Sequence, residues 1–230
     1  MSAMNEYFDT VIVGTGAAGL YCALNLPERM KILLVTKQKA DESDSFLAQG
    51  GICMLCGEND YEPYMEDTMH AGHYENDVKA VDLMIRSSNS IIRDLLQRGV
   101  DFTRNPDGSL AFTREGAHSR PRILFHEDIT GKEITQTLLD EVRTRDNITL
   151  REDTIMLDII NDSDACGGIV AVGSDGEPYT IGAAAVVLAC GGIGGLYKNS
   201  TNFSHITGDA LAIAMRHNVV VEHLDYIQIH

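Results

Sequence analysis

Basic side chains are scarce in this sequence. Its 230 residues carry 18 Lys and Arg against 34 Asp and Glu, for a formal net charge of -16. That balance argues against a general nucleic-acid or anionic-membrane surface, since both need a basic patch. An anionic substrate stays open, because a site needs only a few local cations. No segment is long and apolar enough to span a bilayer. The apolar stretch near the start follows Glu6 and Asp9 with no Lys or Arg, and glycines interrupt it, so it does not read as a secretory leader. A cytoplasmic protein is the expectation. Cys22, Cys53, Cys56, Cys166 and Cys190 form an odd, irregularly spaced set, which is not a secreted disulfide framework. Cys22 and Cys190 lie in apolar segments, where a free thiol packs as a small hydrophobe. Internal repeats and low-complexity linkers are also missing, and one domain over residues 1–230 is the simplest organisation.

What is there alternates between β and α patterns. Phe8 to Val13 is a short strand, "GTGAAG" follows, and Leu20, Ala23 and Leu24 mark a helix closed by Pro27. Lys31 to Lys37 reads as a second buried strand, which completes a βαβ unit. Residues 38 to 75 read as loop-rich. Asp77 to Gln97 has the best helical periodicity, with Asn76 or Asp77 as cap and Gly99 as stop. Residues 101 to 131 are polar and irregular, and Lys132 to Arg143 predicts another helix. Ile148 to Leu150 and Thr154 to Ile160 read as strands. Gly168 to Val172 and Tyr179 to Ala183 flank Asp175-Gly176, a hairpin signal. A separate apolar strand, Ala184 to Ala189, runs into "CGGIGG". Thr207 to His217 predicts a short helix, and Val219 onward a final strand. The fold class expected is α/β, with a Rossmann-like parallel central sheet and an inserted β-meander.

Gly14-Thr15-Gly16-Ala17-Ala18-Gly19 fits GxGxxG. Gly14 makes the tight turn, Gly16 admits a pyrophosphate, and Gly19 lets the helix sit close to the strand. The motif follows a strand and opens a helix, as its mechanism requires. A glycine turn without a ligand is the alternative. The second strand lacks the acidic residue that commonly binds a ribose there; Thr36-Lys37 stands in its place. Plain NAD binding loses support accordingly. The late hairpin and the strand ending in Ala189-Cys190-Gly191-Gly192 fit flavoproteins in which a β-meander returns the chain to the sheet beside the cofactor.

"SFLAQGGI" (Ser45 to Ile52) resembles the flavin loop of the succinate dehydrogenase and fumarate reductase flavoprotein superfamily. "TREGAHSRPRILFHEDITGKEI" (Thr113 to Ile134) resembles the L-aspartate oxidase branch of it. "ACGGIGGLYKNSTN", "TGDALAIAMRHN" and the closing "LDYIQIH" match in order, so the likeness covers nearly the whole chain. The resemblance implies non-covalent FAD. Thr15, Gly16, Ala17 and Ala18 would hold the pyrophosphate, and Lys37 would lie near the adenosine part. Asp44, Ser45, Phe46, Leu47, Ala48, Gln49, Gly50 and Gly51 would wrap the flavin ring and ribityl chain. Asp209 would hydrogen-bond the cofactor from a helix start. Succinate and fumarate relatives join FAD covalently to a histidine near position 44, a bond Asp44 cannot make.

The resemblance also implies oxidation of L-aspartate to iminoaspartate by hydride transfer to FAD. Oxygen or fumarate would be the acceptor, in the first step of the quinolinate route to NAD, with quinolinate synthase as a partner. Glu115 would orient the substrate, its carboxylate matching the ammonium; pairing with Arg114 or Arg120 is the plainer alternative. His230 would contact a substrate carboxylate. His118, Arg120, Arg122, His126 and Asp128 crowd one loop, but their spacing fits no common zinc pattern, and no metal is expected. Arg122 is expected to pair with Asp128, and Thr130 to cap a helix. His70 and His73 read as surface or loop residues. Cys53-Met54-Leu55-Cys56 is a CxxC that reads either as a thiol redox pair or as two packed thiols; the second is favoured. The family places its arginine base in a capping domain after the segment matching His230. The expectation is therefore a chain truncated before that domain and inactive alone. A succinate or fumarate oxidoreductase and a non-catalytic FAD-binding fragment are the competing readings.

Overall fold

The computed structural model describes residues 6–162 and 165–227. Backbone packing divides the chain into two compact units, residues 1–44 with 138–230, and residues 45–137.

The first unit is built on a six-stranded sheet. β1 (Tyr7–Val13), β2 (Ile32–Val35), β5 (Ile148–Arg151), β6 (Ile155–Asp162), β7 (Ala165–Val172) and β8 (Pro178–Leu188) lie in the order β5-β2-β1-β8-β7-β6. β2 reads Ile-Leu-Leu-Val with every residue buried, as a parallel strand covered on both faces must. It pairs in parallel with β1 (Val11 beside Leu33) and with β5 (Leu33 beside Thr149). α1 (Ala17–Asn25) makes the crossover from β1 to β2 and buries Leu20, Ala23 and Leu24. Phe8, Val11, Leu33, Ile169, Ile181 and Ile213 belong to one apolar cluster.

Two expectations about this unit change. The two strands read at 179–183 and 184–189 are one strand, β8. Its first half runs antiparallel to β7 (Ile169 beside Ile181), and its second half runs parallel to β1 (Val11 beside Val186). The strand passes from one partner to the other at Gly182, which stands beside both Gly168 and Tyr7. The strand expected from Val219 onward is absent through residue 227; a turn at Leu224-Asp225 interrupts that stretch. Its alternating apolar residues are instead exposed, Val220 to 82%. α6 (Asp209–Arg216) fills the helix expected at 207–217.

The second unit centres on two helices. α3 (Tyr61–Ala71) and α4 (Val78–Gln97) share a core of Tyr64, Val81 and Ile85. Asp77 caps α4, its carboxylate accepting from the amides of Lys79 and Ala80 at 2.8 and 3.1 Å. α3 falls in the stretch read as loop. Its apolar residues do repeat helically, at Tyr61, Tyr64, Met65 and Met69, and Pro63 is tolerated in the first turn. The two-residue strands β3 (Ile52–Cys53) and β4 (Ile123–Leu124) pair antiparallel. α2 (Asp44–Leu47) is a single turn, and α5 (Thr130–Thr144) begins in this unit. Among the described residues no helix is long and apolar enough to cross a membrane.

Candidate functional site

The glycine turn lies in the first unit. Gly14 has φ +112°, and a Cβ there would stand 2.2 Å from the Ala189 carbonyl oxygen. A Cβ on Gly19 would stand 2.0 Å from the Gly14 carbonyl oxygen. Only glycine therefore lets β1, the end of β8 and α1 converge. Gly16 is the N-cap of α1 and, as a glycine, brings no side chain to that end. A helix N-terminus approached by bare backbone suits an anion.

Lys37 and Asp209, far apart in sequence, meet in this unit. Lys37 Nζ donates to Asp209 Oδ2 at 2.8 Å, Thr207 Oγ1 at 2.8 Å and the His205 carbonyl at 3.1 Å. Thr207 Oγ1 also donates to Asp209 Oδ1 at 2.7 Å. Burial pushes the Asp209 carboxyl up, but the Lys37 and Thr207 hydrogen bonds outweigh it and hold the group below its usual range. Asp209 is thus a paired carboxylate, which removes the repulsion a bare one would exert on a phosphate. Cys190 donates to the Val13 carbonyl at 3.4 Å, and burial pushes its thiol up to about 11.

Asp44 has a clear partner: its Oδ1 accepts the Phe203 amide at 3.1 Å. Beside it, Ser43 is buried and its hydroxyl has no hydrogen-bond partner. A buried orphan hydroxyl is costly unless a ligand completes it. The glycine turn at the start of α1, the neutralised Asp209 and this orphan together fit a dinucleotide.

In the second unit, the segment 45–51 runs from the α2 turn into an exposed loop that is held from behind. The Gly131 amide donates to the Ala48 carbonyl at 2.8 Å, and Thr130 Oγ1 donates to the Gly50 carbonyl at 2.8 Å. Thr130 also accepts the His126 amide at 2.9 Å. Thr130 is thus the first residue of α5 and braces the loop. Gln49 Nε2 reaches Asp128 Oδ2 at 3.5 Å. Glu115 stands against the same loop: a Cβ on Gly50 would lie 3.3 Å from its Oε2. Among the described residues neither Arg114 nor Arg120 forms an ion pair with Glu115, and Arg120 donates to the Asn59 carbonyl at 2.8 Å.

Arg122 does not pair with Asp128. It is fully buried and holds Asp60 and Asp67, with distances of 2.8 Å to Asp60 Oδ1 and 2.6 Å to Asp67 Oδ2. The reason is burial: a guanidinium out of solvent takes its carboxylates from its own buried surroundings and not from the exposed Asp128. Burial works against its charge, and the two carboxylates more than offset it, raising its pKa. Tyr64 lies under the guanidinium, 4.8 Å from carbon to ring centroid. Asp60 and Asp67 escaped the sequence reading because nothing distinguishes a buried aspartate from a solvated one in an acidic stretch.

Cys53 packs against the Tyr64 cluster, with its Sγ 3.5 Å from His118 Nε2, while Cys56 is exposed. Burial raises both thiols, which opposes thiolate chemistry. His70 and His73 are exposed. Among the described residues no group of three or more His, Cys, Asp and Glu could hold a metal. His230 lies outside the described residues.

The FAD binding domain family model matches residues 9–230. L-aspartate oxidase of Clostridium perfringens is 44% identical over 99% of this chain and 51% of its own length. That of Nostoc sp. is 40% identical over 97% of this chain and 39% of its own. The chain thus spans about half the length, or less, of the curated relatives it matches. Among solved structures, FrdA of E. coli quinol fumarate reductase superposes with a TM-score of 0.88 at 30% identity, covering 92% of this chain and 37% of that one. Sdh1 of Mycobacterium smegmatis in complex with UQ1 gives 0.87 at 27% identity, covering 92% and 38%. With the glycine turn, the braced loop and a match over nearly its whole length, the chain belongs to the FAD binding domain family, and its cofactor is FAD.

Proposed function

We propose that this chain is the FAD-binding portion of an L-aspartate oxidase, which converts L-aspartate to iminoaspartate with oxygen or fumarate as acceptor. The observation that carries the reading is Glu115, whose carboxylate stands against Gly50 of the 45–51 loop. L-aspartate has two carboxylates and an ammonium, and a carboxylate is the group that binds an ammonium by a charge-assisted hydrogen bond. Succinate has no ammonium for Glu115 to bind.

FAD, when bound, supplies the hydride acceptor. The turn from Gly14 to Gly19 and the α1 amides hold the pyrophosphate, with Thr15, Gly16, Ala17 and Ala18 nearest to it. Lys37, kept in place by Asp209 and Thr207, serves the adenosine end. The loop from Asp44 to Gly51 serves the ribityl chain and ring. Glu115 orients the substrate ammonium and His230 a substrate carboxylate. FAD is held without a covalent bond: Asp44 offers no ring nitrogen for such a bond, and its carboxylate is engaged by the Phe203 amide. Flavin should therefore leave the polypeptide on acid precipitation, and flavin that stays with the pellet would overturn this point.

The whole protein is read as acting in the cytoplasm, in the first step of the quinolinate route to NAD, with quinolinate synthase consuming its product. Hydrogen peroxide release by the full-length protein on addition of L-aspartate supports the reading, and its absence with fumarate also unreduced would overturn it. The second reading, a succinate or fumarate oxidoreductase, draws support from the likeness to E. coli FrdA. Oxidation of succinate in the absence of L-aspartate would favour it.

A further inference from the structure

The buried charges around Arg122 have no part in the function above, yet they connect to Glu115. Arg122 donates through its Nε and one terminal nitrogen to Asp60 at 3.2 and 2.8 Å, and through the other to Asp67 at 2.6 Å. Asp60 alone would neutralise the guanidinium. Buried ion pairs of this kind contribute little net stability, because desolvation cancels most of the attraction. The second carboxylate therefore calls for another explanation.

Asp67 leads away from the buried centre. Its Oδ2 also accepts the Ser119 amide at 2.7 Å and the Ser119 hydroxyl at 2.8 Å. Ser119 follows a tight turn in which the His118 amide donates to the Glu115 carbonyl at 3.3 Å. Ala117, third in that turn, has φ +68°, a left-handed conformation that a non-glycine residue adopts only at some cost. His118 is held too: its Nδ1 lies 3.0 Å from the same Arg122 nitrogen that bonds Asp67. Arginine can only donate, so Nδ1 accepts and the His118 proton sits on Nε2, facing the Cys53 sulfur. The segment just after Glu115 is thus pinned at two successive residues to one buried cation and its counter-ion. Glu115 itself, the first residue of the turn, stays exposed.

We propose that Asp67 is a positioning residue for Glu115, anchoring through Ser119 the turn that sets where this carboxylate meets the substrate ammonium. The proposal rests on the Glu115 reading given under the proposed function. Asp67 touches neither substrate nor cofactor in this account. It acts by removing the freedom of a turn that has few other ties.

The test compares two dicarboxylates that differ in the ammonium, L-aspartate and succinate. Their binding to the FAD-loaded full-length protein is followed by flavin absorbance. D67N is expected to weaken L-aspartate about tenfold, the scale of one charge-assisted hydrogen bond, and to leave succinate within about twofold. E115Q should show the same selectivity, and D67N added to E115Q should cause no further loss. Equal weakening of both ligands by D67N, or losses that multiply in the double variant, would reduce Asp67 to a structural role and overturn the proposal. Should D67N fail to fold, S119A removes one of the two hydrogen bonds and is expected to cost L-aspartate about threefold with the same selectivity; no loss, or equal loss with succinate, overturns it. Hydrogen exchange at the Ser119 amide separates the two layers of the argument. It should quicken at least tenfold in D67N. Unchanged protection would refute the anchoring even with the Glu115 reading intact. An E115Q variant that binds L-aspartate as well as the wild type would refute the Glu115 reading and the proposal with it.

Discussion

Arg122 carries its charge with none of its side chain exposed, and Asp60 beside it is 2% exposed. Deleting one partner of such a set strands the other in a medium that solvates it poorly. Arg122→Met should therefore cost about 3–5 kcal/mol of unfolding free energy, measured by urea denaturation. A loss below about 1 kcal/mol would mean that water reaches the cluster. The same residues predict a pH dependence. For Asp60, Asp67 and Asp209 burial pushes the carboxyl up, but hydrogen bonds and cations outweigh it, and all three sit below the ordinary value of 3.8. A group whose folded pKa is depressed contributes stability that is fully present above its unfolded pKa. That stability is lost as pH falls through the folded value. The urea midpoint should thus be insensitive to these groups between pH 5 and 7, by about their unfolded range, and should fall below about pH 4. A D67N variant should show a shallower acid limb than the wild type.

At the scale of elements, the junction of β1, β8 and α1 admits no side chain at its centre. Gly14→Ala adds a methyl group 2.2 Å from the Ala189 carbonyl at a φ of +112°. Either β8 must move away from β1 or the turn must change shape, and both disturb the start of α1. Lost flavin and a destabilisation of about 2 kcal/mol or more are expected, read from the flavin-to-protein ratio and urea denaturation. Full flavin occupancy in the variant would show that the turn does not shape the cofactor site. This junction was legible in the sequence, because GxGxxG between a strand and a helix has a single mechanical use. The α4 helix was legible as well, since Asp77 caps it and Gly99 ends it at φ +100°. Helix α3 was not, because glycines and charge before residue 61 masked an apolar repeat of only three turns. β8 was split in two because its change of partner at Gly182 is set by where β1 and β7 lie. The stretch from Val219 looked like a strand from its alternating apolar residues, but alternation predicts a strand only where a neighbour supplies the ladder.

On the scale of the whole molecule, the chain combines a dinucleotide-binding unit with a unit that carries the Glu115 turn. How the candidate residues are held was not legible in the sequence. Lys37 and Asp209 were singled out separately, and their mutual ion pair appears only when β2 and α6 are placed together. Asp44 looked like a gap left by a missing histidine, and proves to hold the Phe203 amide. Asp60 and Asp67 could not be found from sequence, since partner choice for Arg122 is decided by burial. The central claim of the proposed function is that the protein holds FAD without a covalent bond and selects an ammonium-bearing dicarboxylate. Anaerobic mixing of the FAD-loaded full-length protein with L-aspartate or succinate tests it most directly, with flavin absorbance as the readout. The account predicts bleaching by L-aspartate, none by succinate, and much slower bleaching in Glu115→Gln. Bleaching by succinate with none by L-aspartate would contradict it.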